Sequence, residues 1–418
     1  MIPDNIDFLF VGGIFPKENE EEIIRKSKHG LQMAANNFQW SLIHGFDCNL
    51  TTPITLLNTI FIGSFPKNYT DCIIHGNQFS HAPGAKDINL GFLNFTIIKQ
   101  FVHPFGEKQF LKHWSQPNIH STKKIAFIYS LNPRTVRIAK LLKELNPHVF
   151  VCISVNDLPE NIMLGDRGGN KIIQIWKTYF KKKVVAGLKY IDGFMIVAEQ
   201  ISKSLNIKNK PYVVIEALTE IDHQFQLTEN KKDNKLKRIV YTGGLVEKYG
   251  IVNLMSAFSQ IESDDYRLTI CGDGDCKEMI IEMSKADKRI EYLGVLPIEE
   301  VRKFQHSATV LVNPRQNTGD FTKYSFPIKT IEYLLSGAPV IAYKLDAIPD
   351  EYDEHLFYVN ENSIEALKNT IIRVCELTNE QRSTISKNNR QFVVEQKNHI
   401  IQTKRILSMI LDNVNFKN

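Results

Sequence analysis

The residues most able to do chemistry lie in Tyr324–Tyr343, YSFPIKTIEYLLSGAPVIAY. Pro327 suits the first turn of a helix, where its missing N–H costs nothing, and Gly337 suits the stop. Ile328, Ile331 and Leu335 form the stripe that packs on a sheet. Ser325, Lys329 and Glu332 fall at i, i+4 and i+7 on the other face. A helix start there offers backbone N–H groups and a positive dipole end, a natural seat for a diphosphate. Lys329 adds a mobile cation, and Glu332 stands where a carboxylate can accept from a ribose diol. The ordinary reading of the same spacing is a Lys–Glu surface pair worth a few tenths of a kcal/mol.

Other segments carry weaker signals. Gly272-Asp273-Gly274 follows an apolar run and starts like a dinucleotide fingerprint, but Lys277 stands where the third glycine belongs. A tight strand-to-helix turn explains it equally well. Asp273-Gly274-Asp275 spells DxD, a common chance pattern that here opens a helix, and no His/Asp cluster indicates a metal. Gly12-Gly13 can let backbone approach a phosphate or sugar, or can simply make a turn. Asp157, in Asn156-Asp157-Leu158-Pro159, ends an apolar run and can orient a hydroxyl at a strand end, or close an Asx turn. His103 and Glu199 are lesser candidates. Lys181-Lys182-Lys183 reads as a solvated face, or as a patch leaning on anionic lipid at about 1 kcal/mol per charge.

These residues need a scaffold, and the apolar pattern supplies one. Short apolar runs alternate with helical patterns, which predicts α/β units with parallel sheets. In the first half, strands are predicted at 8–11, 41–44, 60–62, 124–129, 149–154, 193–197 and 212–215, with helices over 23–38, 134–145 and 171–190. In the second, strands are predicted at 238–242, 267–271, 290–293, 309–313 and 339–343. Helices are predicted there over 251–261, 277–286, 298–306 and 327–335, then a long helical stretch from 364. The polar run DHQFQLTENKKDNKLK reads as a connector. The expected organisation is a first doubly wound Rossmann-like domain at 1–222, a linker at 223–237, a second such domain at 238–395 and a C-terminal helix at 396–418 crossing back to the first. A cleft at the carboxyl ends of both sheets would hold the ligands.

Composition sets the class. The 418 residues are 43% hydrophobic and 23% charged, which excludes wholesale disorder, fibres and polytopic membrane proteins. Lys+Arg at 51 against Asp+Glu at 46 leaves +5, too small a surplus to make nucleic acid the partner. Six cysteines are scattered without a CxxC pair, which fits a reducing compartment. The start MIPDNIDFLFVGG lacks a basic n-region and a small-residue cleavage site, and no apolar run is long enough to span a bilayer. The expectation is a cytoplasmic protein, soluble or peripheral on the inner face of the membrane.

YSFPIKTIEYLLSGAPVIA resembles the donor-nucleotide segment of the retaining family 4 glycosyltransferases, of GT-B fold, closest to the capsular and surface-polysaccharide branch. The likeness continues through IVYTGGLVEKYGI, LTICGDGD, RIEYLGVL, VLVNPR and AYKLDAIPDEY. In the first half VGGIFP, NDLPE and DGFMIVAE carry it more thinly. The resemblance implies transfer of a hexose-type sugar, with retention, from a nucleotide-sugar donor to a saccharide acceptor. It further implies UDP as the nucleotide, a lipid-diphosphate-linked acceptor, and no metal or other cofactor. Glu332 matches the second glutamate of the E-x7-E motif and binds the ribose; the first falls at 324, which is Tyr324 here. Backbone around Ser325 and Phe326 then takes over the sugar hydroxyls. The family's diphosphate-gripping Arg and Lys fall at Gly244 and Tyr249, so Lys248, Arg315 and Lys329 become the candidate cations. Gly12, Gly13, Gly243, Gly244, Gly272 and Gly274 line the donor, and Asp157 serves the acceptor. A nucleotide-sugar epimerase of the same fold and a non-catalytic partner subunit are the competing readings.

Overall fold

The structure is a computed structural model, which describes residues 5–28, 31–96, 98–117, 123–158, 171–221 and 236–414. The chain divides into two compact units, Met1–Ile215 with His399–Asn418, and Glu216–Asn398.

In the first unit the strands are β1 (Ile6–Gly12), β2 (Thr55–Asn58), β3 (Ile73–Ile74), β4 (Asn77–Phe79), β5 (Asp87–Asn89), β6 (Phe92–Leu93), β7 (Lys123–Tyr129), β8 (Phe150–Val155), β9 (Gly193–Ile196) and β10 (Tyr212–Val214). The helices are α1 (Glu20–Lys26), α2 (Met33–Asn49), α3 (Ile98–Phe101), α4 (Glu107–Trp114), α5 (Pro133–Leu145), α6 (Lys171–Gly187) and α7 (Gln200–Ser204). The sheet runs β10-β9-β8-β7-β1-β2-β5-β4, parallel except where β4 closes the edge against β5. Its central strands are buried along almost their whole length, as a sheet covered on both faces requires.

The second unit holds β11 (Lys237–Thr242), β12 (Tyr266–Cys271), β13 (Ile290–Tyr292), β14 (Val310–Asn313), β15 (Val340–Ala342) and β16 (Leu356–Tyr358). Its helices are α8 (Ile251–Ser259), α9 (Lys277–Ala286), α10 (Ile298–Ser307), α11 (Lys329–Ser336), α12 (Ile364–Cys375) and α13 (Asn379–Gln396). The sheet order is β13-β12-β11-β14-β15-β16, all parallel. That is the doubly wound order, which reverses between β11 and β14 and opens a crevice there at the carboxyl ends.

The last helix, α14 (His399–Asn413), belongs to the first unit and packs on α2, as the predicted crossing back requires. Gly45 lets it approach: a Cβ there would lie 2.5 Å from His399 O. Asn49 Nδ2 then donates to Ile400 O at 2.8 Å and to Thr403 Oγ1 at 3.0 Å.

Several expectations fail locally. Residues 41–44 are not a strand but the middle of α2, and the strand predicted at 60–62 lies earlier, as β2. The helix predicted over 23–38 is two, because Ser27 leaves α1 to bridge with Tyr69. The units part at Glu216 rather than at 222, since Ala217 enters the second core and Glu216 pairs with Lys397 at 2.6 Å. The predicted linker lies almost wholly outside the described residues. Among the described residues no helix is long and apolar enough to cross a membrane.

Candidate functional site

In the second unit the predicted chemistry gathers at the β11/β14 crevice. Phe326 anchors the approach to α11: its ring is buried, 5.2 Å from the Tyr352 ring, so only its backbone is left for a ligand. Pro327 and Ile328 make the opening turn, Thr330 N–H donating to Pro327 O at 2.8 Å. No side chain caps the helix start, although Ile331 N–H also donates within the turn, to Ile328 O at 3.1 Å. Gly337, at φ 82°, ends the helix as predicted.

Lys329 reaches back from that start to donate to Thr242 O, the last carbonyl of β11. Its path runs over Gly243, where a Cβ would sit 1.9 Å from Nζ, so only glycine admits it. Thr242 is held from below by side chains the sequence did not single out. Tyr333 Oη accepts from Thr242 N–H at 2.9 Å and donates to Thr242 O at 3.1 Å, while Gln305 Nε2 donates to Thr242 Oγ1 at 3.0 Å. Both side chains are buried. Burial pulls the Lys329 ammonium below the usual lysine range, against the opposing pull of the Glu332 carboxylate.

Glu332 has an exposed side chain, yet crowding by protein pushes its carboxyl above the usual range, against Lys329, Arg302 and a hydrogen bond from Gln305. Lys329 and Glu332 stand three residues apart on α11, a cation that reaches the β11 end and an acceptor beyond it.

Lys248 and Arg315 meet a few residues away. Both stand over the same two rings: Lys248 Nζ lies 5.7 Å from the Tyr249 and Phe321 centroids, Arg315 Cζ 5.9 and 4.6 Å. Arg315 is buried between them and Lys248 exposed. The meeting depends on Gly250, at φ 83°, where a Cβ would fall 1.9 Å from Pro314 O. Gly244 borders the same Tyr249 ring and accepts from Tyr241 Oη at 2.7 Å. Ser325 is partly exposed next to Phe326, and Tyr324 follows a short 3-10 turn at Asp320–Lys323.

The glycines act first as packing. A Cβ on Gly272 would lie 1.8 Å from Gly243 O, and one on Gly274 2.5 Å from Leu245 O. Gly243 N–H goes to Cys271 O and Gly272 N–H to Gly294 O, each at 2.8 Å, so neither amide points to a ligand. Asp273 pairs loosely with Lys277 at 3.8 Å on the exposed surface. Among the described residues no group of three or more His, Cys, Asp or Glu gathers for a metal ion.

The remaining predicted residues belong to the first unit. Gly12 ends β1, but the turn after it is closed from inside: Gly13, Ile14 and Phe15 N–H donate to Gln39, Asn58 and Asn36 at 2.8, 2.8 and 2.7 Å. The Gly13 amide thus donates within the protein, to Gln39 Oε1. Asp157 sits just past β8 and accepts from Leu158 N–H at 2.7 Å, while Pro159 and Glu160 lie outside the described residues. Glu199 Oε1 accepts from Tyr212 Oη at 2.8 Å. His103 Nδ1 meets Glu107 Oε1 at 2.5 Å, and Arg134 Nη2 bridges Glu107 Oε2 at 2.7 Å to Thr59 Oγ1 at 2.9 Å. Lys181, Lys182 and Lys183 are exposed on α6.

Residues 222–392, most of the second unit, match a family model described as glycosyl transferases group 1. No curated protein sequence matches the chain. Among solved structures, sucrose-phosphate synthase from Thermosynechococcus elongatus is similar at TM-score 0.63 and 15% identity, over 97% of this chain and 98% of that one. The apo form of the lipopolysaccharide outer core galactosyltransferase WaaB is similar at 0.59 and 14%, over 97% and 99%. HepE of Anabaena in complex with UDP is similar at 0.58 and 10%, over 97% and 100%. At such identities the likeness shows the fold, and that fold is GT-B.

Proposed function

We propose that this chain transfers a hexose-type sugar, with retention at the anomeric carbon, from a UDP-sugar to a saccharide acceptor carried on a lipid diphosphate. Cytoplasmic assembly of a bacterial surface polysaccharide is the setting. The observation that carries the proposal is the start of α11 without a side-chain cap, with Lys329 reaching the last carbonyl of β11 and Glu332 three residues along the same helix. The diphosphate lies against the helix start, where Lys329, Lys248 and Arg315 meet the negative charge that grows as it leaves. Glu332 accepts from the ribose hydroxyls, and backbone at Ser325 and Phe326 takes the place of the carboxylate absent at Tyr324. The departing phosphate receives the acceptor proton on the same face, and Asp157 orients that hydroxyl. The cations supply the charge, so the transfer is proposed to need no metal and to survive chelation by EDTA.

The test is a thermal-shift screen of UDP, GDP, ADP and dTDP, followed by the matching nucleotide sugars. UDP at a hundred times its Kd should add about 2.7 kcal/mol of stability. NMR of the anomeric proton in the product then reads retention or inversion. Tyr324 at the first glutamate position favours a second reading, a non-catalytic partner subunit; stabilisation by no nucleotide would favour it over the transfer reading. An isomerised donor formed without acceptor would instead mark an epimerase.

A further inference from the structure

We propose that His103 is the hydrogen-bonding centre of a sugar site in the first unit, where its Nε2 accepts from a hydroxyl of a neutral pyranoside. His81 of the same unit sets the contrast. Its side chain is fully buried and both ring nitrogens are engaged, Nδ1 with Asp87 at 2.6 Å and Nε2 with Asp47 at 2.9 Å. A histidine spent in that way holds the fold. His103 engages one nitrogen only: Nδ1 meets Glu107 Oε1 at 2.5 Å, the side chain is 25% exposed, and among the described residues Nε2 has no hydrogen-bond partner.

What lies behind the ring fixes its sense. Glu107 is fully buried, and its Oε2 accepts from Arg134 Nε at 3.1 Å and Nη2 at 2.7 Å. A carboxylate so held accepts on Oε1 as well, so Nδ1 carries the proton and the neutral ring keeps its lone pair on Nε2. Arg134 opens α5 directly after β7, and its Nη2 also donates to Thr59 Oγ1 at 2.9 Å. Thr59 follows β2, and its N–H donates to Gly12 O, at the end of β1, at 3.0 Å. The linked residues thus span the carboxyl ends of β7, β1 and β2, where the sheet order turns back and the outgoing connections part. Open α/β sheets bind ligands at such a point. An apolar rim stands beside the imidazole in the chain: Val102 is 46% and Phe105 54% exposed, and Phe105 N–H donates to Gly91 O at 2.7 Å. One oriented polar group next to exposed apolar side chains suits a pyranose, which offers hydroxyls at its edge and C–H groups on its face. That this sugar is the acceptor rests on the transfer reading; the site itself does not.

The test is saturation-transfer NMR of the full chain with the methyl pyranosides of glucose, galactose, mannose and N-acetylglucosamine at millimolar concentration. At least one should receive saturation from wild type. H103N puts an amide N–H where Nδ1 stood, so it keeps the bond to Glu107 and loses the Nε2 acceptor. H103Q carries its carbonyl to the Nε2 position and leaves Glu107 Oε1 without its partner. H103N should therefore keep the wild-type melting temperature and bind the glycoside about tenfold more weakly, whereas H103Q should melt lower and bind within about threefold of wild type. Saturation of none of the four by wild type, or undiminished binding by H103N, would overturn the proposal. Should H103N fold poorly, F105S decides, since it removes an exposed ring: wild-type binding by that variant would overturn the proposal equally. No nucleotide enters the assay, so this site and the transfer reading fail separately.

Discussion

Lys329→Met removes an ammonium while keeping most of the side chain, and its expected effects on fold and ligand differ sharply. In the free protein, the cation gives one charge-assisted hydrogen bond to Thr242 O, worth about 1.5–3 kcal/mol. Against this stands the cost of burying it, which depresses its pKa. Thr242 O is not orphaned by the change, because Tyr333 Oη still donates to it at 3.1 Å. The two contributions oppose each other, and the variant should lie within about 1 kcal/mol of wild type in urea unfolding at neutral pH. The sign of the pH dependence is fixed. A lysine with a depressed folded pKa penalises the fold fully below that pKa, and the penalty fades as pH rises toward the unfolded value. The variant should therefore gain on wild type at low pH and lose the advantage on the alkaline side.

With ligand the outcome reverses. Loss of one charged contact to the diphosphate raises Kd about 10- to 100-fold, so UDP that stabilises wild type by about 2.7 kcal/mol should stabilise the variant by only about 0.4–1.4 kcal/mol. Turnover should fall about 10²–10³-fold, the typical loss of one donor to a developing negative charge. Urea titrations with and without UDP read both halves. A variant that loses more than about 2 kcal/mol without ligand, or keeps the full UDP increment, refutes the assignment.

Three further outcomes are expected. Glu332→Gln should raise the UDP Kd about tenfold by calorimetry, and UMP should lose as much as UDP if the ribose is the partner. Gly272→Ala puts a methyl 1.8 Å from the Gly243 carbonyl oxygen, which is backbone and cannot swing away; unfolding should show a loss above about 3 kcal/mol. In the first unit, burial lowers the pKa of His81, but bonds to Asp47 and Asp87 outweigh it and hold the ring near 9, from 6.5. That shift is worth about 3 kcal/mol, complete below pH 6.5 and lost as pH rises through 9; His81→Phe should abolish this alkaline slope in urea titrations.

The second unit was more legible than the first, for a physical reason. Its alternation of strands and helices is read correctly, but the stripe expected on α11 is only partly right. Ile331 is buried and Leu335 half-buried, whereas Ile328 is exposed and Tyr333 and Leu334 are buried, because α11 is covered by α13 as well as by the sheet. α2 carries less contrast still: between the sheet and α14, most of its residues from Asn36 to Phe46 are buried. A helix buried all round has no period to read, and its middle passes for a strand. Likewise Ile60 and Ile62 are apolar because they pack with Phe15 in a small cluster, not because they pair in a sheet. The site's cations and carboxylate could be found from charge and spacing. Tyr333 and Gln305 could not, since only the fold brings a tyrosine and a glutamine 91 and 63 residues away onto one threonine.

That threonine fixes the end of β11 before any ligand arrives. Thr242 is the last residue of β11, paired with Cys271 of β12, so its carbonyl is fixed by the sheet. Tyr333 ties the same peptide to α11, and Gln305 ties it to α10. Lys329 borrows the remaining acceptor capacity of that carbonyl, which sets where its charge rests. A diphosphate at the helix start competes with Thr242 O for an ammonium already at the crevice, so little side-chain entropy remains to be lost on binding. Tyr333→Phe separates the two roles of the clamp: it leaves Thr242 N–H buried without its partner and should cost about 1–3 kcal/mol of stability. It also frees Lys329 to hold Thr242 O alone. UDP affinity should therefore fall less than in Lys329→Met, and a larger fall would mean that the clamp, not the cation, positions the diphosphate.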